Sequence, residues 1–91
     1  MSARVPVRTA AAAWQRVDGE MVLMQADAGE LLGLNAVGAR AWELVDGVRS
    51  LDDIARTIAA EFAVDEPRAL RDLEAFFADL AAAHLSELID R

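Results

Sequence analysis

The feature that most constrains the fold is the order of its patterns, because strand-like segments come first, up to Leu34, and helical segments follow. Asp18-Gly19 separates two runs, Trp14–Val17 and Glu20–Ala26, that favour β-strands. This dipeptide is a strong hairpin signal, because glycine adopts a positive φ at little cost. The turn 27–29 then leads into a short third strand, Glu30–Leu34. The first third of the chain therefore predicts a small three-stranded antiparallel meander.

Helical patterns follow, and each begins with a residue suited to capping. Asn35 precedes a first helix, Ala36–Val45, whose end is marked by Asp46-Gly47. Ser50 and Asp53 resemble a capping box at the start of the second helix. The third helix opens at Asp65-Glu66-Pro67, with acids and proline where a first turn favours them. The predicted buried stripes of the last two helices are Leu51, Ile54, Ala55, Ile58 and Phe62, then Leu70, Leu73, Phe77 and Leu80.

Three strands followed by three short helices predict an α+β fold. The expected architecture is winged helix-turn-helix-like, with a three-stranded antiparallel sheet packed on a three-helix bundle. Residues 1–11 show no periodicity and are interpreted as a flexible N-terminal tail, which leaves 12–91 as the domain. For residues 85–91 the pattern leaves two alternatives open, a helical extension or a short strand.

Composition excludes several classes of partner. The net charge is −7, and an acidic chain repels phosphate backbones, so nucleic acid is not an expected partner. The longest uncharged stretch, Leu31–Ala39, is too short to span a membrane. The chain has no cysteine, which rules out a disulfide framework and fits a reducing compartment. A cytoplasmic protein without a membrane partner is therefore expected.

Catalytic patterns are not found in the sequence. The single histidine, His84, lies at the end of the third helix, a position where histidine is usually structural. Asp52 and Asp53 are adjacent on a helix, so they point in different directions and do not form an acid–base pair. Nucleophile elbows, phosphate loops and metal-ligand clusters are also missing. We expect a non-catalytic protein without a cofactor or a metal.

Two features remain as candidates for binding a partner. The third strand is short and is predicted at the sheet edge, where it either accepts a foreign strand or is merely kept short against aggregation. Phe76 falls off the predicted core stripe of the third helix, on a flank shared with Ala69 and Asp72. It either lines a groove for an apolar side chain or simply widens the core face. The residues alone leave both pairs of alternatives open.

The order and spacing of these residues resemble a known family. The runs Gly33–Asn35 and Val37–Gly47 resemble the core of PqqD-like proteins, and Leu51–Ile54 with Glu61–Asp65 is similar to that family's next segment. Asp72–Phe76 looks like part of its third helix. The resemblance spans about residues 12–88, nearly the whole predicted domain.

The resemblance implies a recognition element for ribosomally made, post-translationally modified peptides. Such domains are peptide chaperones that hold the precursor's leader peptide as an added strand in a groove beside the third helix. They present it to a modifying enzyme such as a radical SAM protein, a cyclase or a leader protease. By position, Glu30, Leu31, Leu32, Gly33 and Leu34 would offer the strand edge, and Ala69, Asp72, Phe76 and Asp79 would form the helical wall.

One departure and two alternatives accompany this resemblance. Family members usually carry glycine where this chain has His84, so a longer third helix and an altered wing are expected here. A DNA-binding winged helix would need a basic third helix, but residues 65–80 hold two arginines against five acids. An accessory or oligomerisation subunit that binds a protein and no peptide is the other alternative, and a homodimer is also left open.

Overall fold

The computed structural model describes residues 3–91, which form five strands and three helices. A three-stranded antiparallel sheet and three helices match the predicted winged helix-turn-helix-like α+β fold, and a two-stranded sheet is added to them. The elements are β1 (Arg4–Arg8), β2 (Ala12–Val17), β3 (Glu20–Gln25), β4 (Glu30–Leu34), α1 (Ala36–Glu43), α2 (Leu51–Phe62), α3 (Glu66–Ala82) and β5 (Ser86–Asp90).

The three-stranded sheet has the order β2-β3-β4 and begins with the predicted hairpin. Asp18 and Gly19 both have positive φ, 53° and 84°, as a two-residue turn between strands requires. The turn closes on the pair Val17 and Glu20. The hairpin prediction is confirmed, and so are the bounds of β4 at Glu30 and Leu34.

The two faces of this sheet differ because side chains alternate along each strand. Met21, Leu23 and Gln25 of β3 are buried against the helices, whereas Met24 on the opposite face is exposed. The register continues this division into β4, where Leu34 lies opposite Met21 on the inner face. One face of the sheet therefore belongs to the core, and the other is left uncovered in the described chain.

The predicted helix starts are confirmed by their hydrogen bonds. The Asn35 side chain accepts the amide of Gly38 at 2.8 Å, and the Asp65 side chain accepts the amide of Arg68 at 3.0 Å. Ser50 and Asp53 exchange both bonds of a capping box. Helix α1 ends at Glu43, two residues before the predicted boundary.

The core stripe of α3 is rotated slightly from the prediction. Its buried residues are Ala69, Leu73, Phe77 and Leu80, whereas Leu70 is only half-buried. Ala69 is 2% exposed and belongs to the hydrophobic core. This corrects its assignment to the groove wall, because a buried side chain offers no surface to a peptide. The small side chain of Ala69 lets α3 pack closely on the core at this position. Because alanine is only weakly hydrophobic, the sequence pattern did not indicate that it is buried.

Strands β1 and β5 form the added sheet and correct the expected tail. Arg4–Arg8 pairs antiparallel with Ser86–Asp90, so residues 4–8 are not a flexible tail. Val5 and Pro6 are buried, and the burial of their apolar surface stabilises the attachment of β1 to the domain. The same pairing decides the C-terminal alternatives in favour of a strand. Residues 1 and 2, also part of the expected tail, lie outside the described residues.

Arg8 fixes β1 to the rest of the domain through two indole rings. Its guanidinium carbon lies 4.3 Å from the ring centre of Trp14 and 4.9 Å from that of Trp42. Its Nη2 also donates to the backbone carbonyl of Trp42. Burial lowers the pKa of Arg8, but a guanidinium remains charged at neutral pH, so both cation–π contacts persist. Arg8 therefore connects β1 to the neighbouring strand β2 and to helix α1.

Helix α3 ends at Ala82 and His84 follows it in a turn, where a longer helix was expected. His84 adopts a left-handed φ of 59°, the conformation for which glycine is favoured. The Thr9 hydroxyl donates to its carbonyl at 2.7 Å, and the Leu85 amide bonds back to Leu80. These bonds stabilise the turn that leads from α3 into β5. The prediction of a longer third helix is therefore wrong.

Candidate functional site

Strand β4, like β2, is an outer strand of the three-stranded sheet. It pairs with β3 on one side only, and it is the last strand of that sheet's order. Four of its five residues are exposed, including Leu31 at 70% and Leu32 at 39%. An edge with unpaired backbone groups and exposed apolar side chains is suited to receive another strand.

A cavity of about 250 Å³ lies where β4 leads into α1 and faces α3. Helix α3 contributes Asp72 and the half-buried Phe76, and the start of α1 contributes Val37. The cavity continues the line of β4, because Leu34 is followed directly by the α1 cap. A strand added to β4 would thus meet an apolar pocket beside α3. The full lining is Asn35, Val37, Gly38, Asp72, Leu73 and Phe76.

Gly38 controls how closely α1 and α3 approach at this cavity. A Cβ built on Gly38 would lie 3.2 Å from Cε1 of Phe76 and 3.6 Å from Cβ of Leu34. Phe76 also packs edge-to-face on Phe77, with ring centres 5.1 Å apart. The Phe76 ring therefore packs against the core on one side and lines the cavity on the other. It both widens the core face of α3 and forms part of the groove, the two alternatives that the sequence left open.

The predicted site residues divide into three groups. Strand Glu30–Leu34 lies at the sheet edge as expected, and Asp72 and Phe76 line the cavity. Ala69 is inside the core. Asp79 is exposed on α3 and does not line the cavity.

Sequence analysis missed the contribution of α1. Asn35, Val37 and Gly38 line the cavity, but they were interpreted only as a cap and the beginning of a helix. Gly38 carried a usable signal, because glycine within a helix often marks a close approach of another element. Its partner Phe76 is 38 positions away, so the sequence could not indicate which element approaches.

Asp72 brings an exposed negative charge to this groove. Asp72 has a side chain that is 68% exposed, and its ion pair with Arg68 is loose at 3.9 Å. Solvent screens such a pair strongly, so Asp72 remains free to meet a basic group.

Among residues 3–91 no three histidine, cysteine, aspartate or glutamate side chains gather as metal ligands would. No helix of this part of the chain is long and apolar enough to cross a bilayer.

Comparison with known proteins places this geometry in a family. Residues 20–85 match the model of the family described as coenzyme PQQ synthesis protein D, PqqD. The match spans β3, the open edge β4 and all three helices. The chain belongs to the PqqD family, as the sequence resemblance predicted. Among curated proteins none matches the chain.

Two solved structures share this fold over about nine-tenths of the chain. TbiB1 in complex with the TbiA(beta) leader peptide is 36% identical, with a TM-score of 0.80 over 89% of this chain and 94% of that chain. A lasso peptide synthetase B1 complexed with the leader peptide is 23% identical, with a TM-score of 0.81 over 90% of this chain and 96% of that one. The second likeness concerns the fold alone.

Proposed function

We propose that this chain is a non-catalytic peptide chaperone that binds the leader segment of a ribosomally made precursor peptide. The observation that carries the proposal is the open β4 edge lying beside the apolar cavity at Phe76. Membership in the PqqD family supports it, and so does the 36% identical TbiB1, which was solved with a leader peptide. The leader would add a strand to β4.

The two parts of the site contribute differently to affinity. Each net backbone hydrogen bond contributes only about 0.5–1.5 kcal/mol, while ordering a disordered segment costs about 2–5 kcal/mol or more. A five-residue edge therefore does little more than offset the cost of ordering. Most affinity and selectivity come from side chains that enter the cavity between Val37 and Phe76.

The bound leader would bring the precursor to a modifying enzyme. A radical SAM protein, a cyclase or a leader protease is the kind of partner that acts on such precursors. Holding substrate and enzyme together raises the effective concentration of the precursor without any chemistry by this chain. We place this activity in the cytoplasm, where a ribosomally made precursor is available before modification.

Backbone amide shifts in an NMR titration test the proposal. The probe is the leader of a precursor encoded beside this chain's gene, with a scrambled leader as control. We expect the largest shifts in Glu30–Leu34, the start of α1 and the middle of α3. Shifts confined to β1 and β5, or equal shifts with the scrambled peptide, would refute leader binding at β4.

A further inference from the structure

The outer face of the three-stranded sheet carries apolar side chains that the core does not use. Val17, Met24 and Leu31 are 44%, 40% and 70% exposed, and Val22 between them is half-buried. These residues line a shallow cavity of about 410 Å³. The face lies opposite the helices, so it is distinct from the groove at Phe76.

Gly33 leaves a gap in this face at the open edge. In the sheet register Gly33 lies opposite Val22, and Leu31 lies opposite Met24 on the same face. An ideal Cβ on Gly33 would meet no atom within 4 Å, and Gly33 is not among the residues with positive φ. Neither backbone conformation nor close packing within the chain therefore requires glycine at this position.

The geometry of an added strand determines what can fill this gap. Residues directly opposite each other in paired strands project to the same face, so alternate leader residues would point away from the Phe76 groove. Neighbouring strands lie about 4.8 Å apart, which puts Val22 about 9–10 Å from a strand added at β4. Only a large leader side chain can reach Val22 from that strand. Its path lies over Gly33, where no side chain blocks it.

We infer that Gly33 forms a second subsite for the bound leader. A large apolar or aromatic leader side chain on the outer face lies over Gly33 and packs against Leu31 and Val22. The inference rests on the proposed function and names its substrate class, which is a leader that carries a large apolar residue for each face of the sheet, an odd number of positions apart. Continuity with the β4 edge favours the leader over other occupants, because the gap opens directly onto that edge.

Filling the gap tests the subsite. The measurement is the affinity of Gly33→Val for the leader used above and for a leader with its outward residue changed to alanine. We expect Gly33→Val to weaken the unmodified leader about tenfold and to leave the alanine leader within about twofold of its affinity for the original chain. Gln15→Val is the matched control, because it places valine on the same face of the sheet on β2, across Val22 from the β4 edge.

Three outcomes would overturn the subsite. One is unchanged affinity of Gly33→Val for the unmodified leader, and another is an equal loss for both leaders, which would indicate a backbone effect. If Gly33→Val unfolds, Leu31→Ala decides instead, with an expected loss of about threefold that disappears with the alanine leader. A Leu31→Ala variant that changes only the oligomeric mass would assign this face to a second copy. Failure of the original chain to bind any leader would refute the proposed function itself.

Discussion

Strands β1 and β4 are both outer strands of small antiparallel sheets, yet the sequence treats their edges differently. In β1, Val5 and Pro6 are buried, whereas in β4 only Leu34 is buried. Proline cannot donate a backbone hydrogen bond, so it weakens an edge as a template for another strand. Strand β4 contains no proline and exposes two leucines, Leu31 and Leu32.

The position of Pro6 makes the contrast sharper. Ala3 and Arg91 exchange two backbone hydrogen bonds, and the Thr9 amide donates to Leu85. Because such pairs alternate along an antiparallel ladder, the nitrogen of Pro6 points away from β5. The missing donor therefore belongs to the free edge and costs the ladder nothing. Pro6 thus weakens the free edge of β1 as a template for another strand, whereas the β4 edge carries no such residue, which fits the proposed role of β4.

The largest expected effect separates Phe77, which lies in the core, from Phe76, which lines the cavity beside β4. Phe77 is 1% exposed, so Phe77→Ala should cost about 3–5 kcal/mol of stability and unfold much of the protein. Phe76→Ala should leave the domain folded and cost about 1–2 kcal/mol of leader affinity. Urea unfolding and a peptide titration of both variants measure these effects.

The reverse pattern would contradict the assignment of the two rings. If Phe76→Ala unfolds the domain while Phe77→Ala folds without binding leader, the groove lies on the other flank of α3. Val37→Ala is a further control, since it trims the opposite wall of the cavity without touching α3.

Arg8→Ala is expected to give the next largest effect, a loss of stability at β1 without a loss of leader affinity. Arg8→Ala removes two cation–π contacts and a hydrogen bond to Trp42, so we expect a loss of about 2 kcal/mol in the free energy of unfolding. Arg8→Lys should recover only part of this, because a compact ammonium does not cover two rings as a planar guanidinium does. Leader affinity should stay unchanged, because Arg8 contacts neither β4 nor the Phe76 cavity. A larger loss of leader affinity than of stability would contradict the view that β1 and the β4 site are independent.

The capping box at Ser50 gives the smallest effect and a pH dependence. Hydrogen bonds from the Ser50 backbone and side chain lower the pKa of Asp53. A lowered folded-state pKa means that this stabilisation is present above the unfolded value of 3.8 and is lost as pH falls through the folded value. Asp53→Asn should therefore reduce the urea midpoint at pH 7 slightly and flatten its decline below pH 4.

Asp52→Asn is the matched control for this measurement. Asp52 lies in the same first turn of α2 but takes no part in the capping box. An equal loss of pH dependence in both variants would show that helix-end charge, and not the capping bond, is responsible.

Local signals predicted most of the fold. The Asp18-Gly19 turn and the caps at Asn35, Ser50 and Asp65 are decided within a few residues, so their sequence patterns were sufficient. The β4 edge was predictable for the same reason, because its bounds are set by flanking turn and cap residues.

Long-range contacts determined what the sequence could not reveal. Strand β1 forms because Val5 and Pro6 are buried and because Arg8 meets two indoles, and its partner β5 lies about 80 residues away. Ala69 and Gly38 owe their roles to elements that pack closely against them. A small residue shows that something can approach, but not which element does.

The hydrogen bonds between Ala3 and Arg91 bring two distant parts of the chain to one point. Domains whose ends meet in this way tolerate circular permutation and insertion into other proteins. A short linker from residue 91 to residue 3 would join them with little change to the β1–β5 ladder. New ends could then be opened at the exposed Asp18-Gly19 turn, which would leave β4 and its neighbouring groove intact.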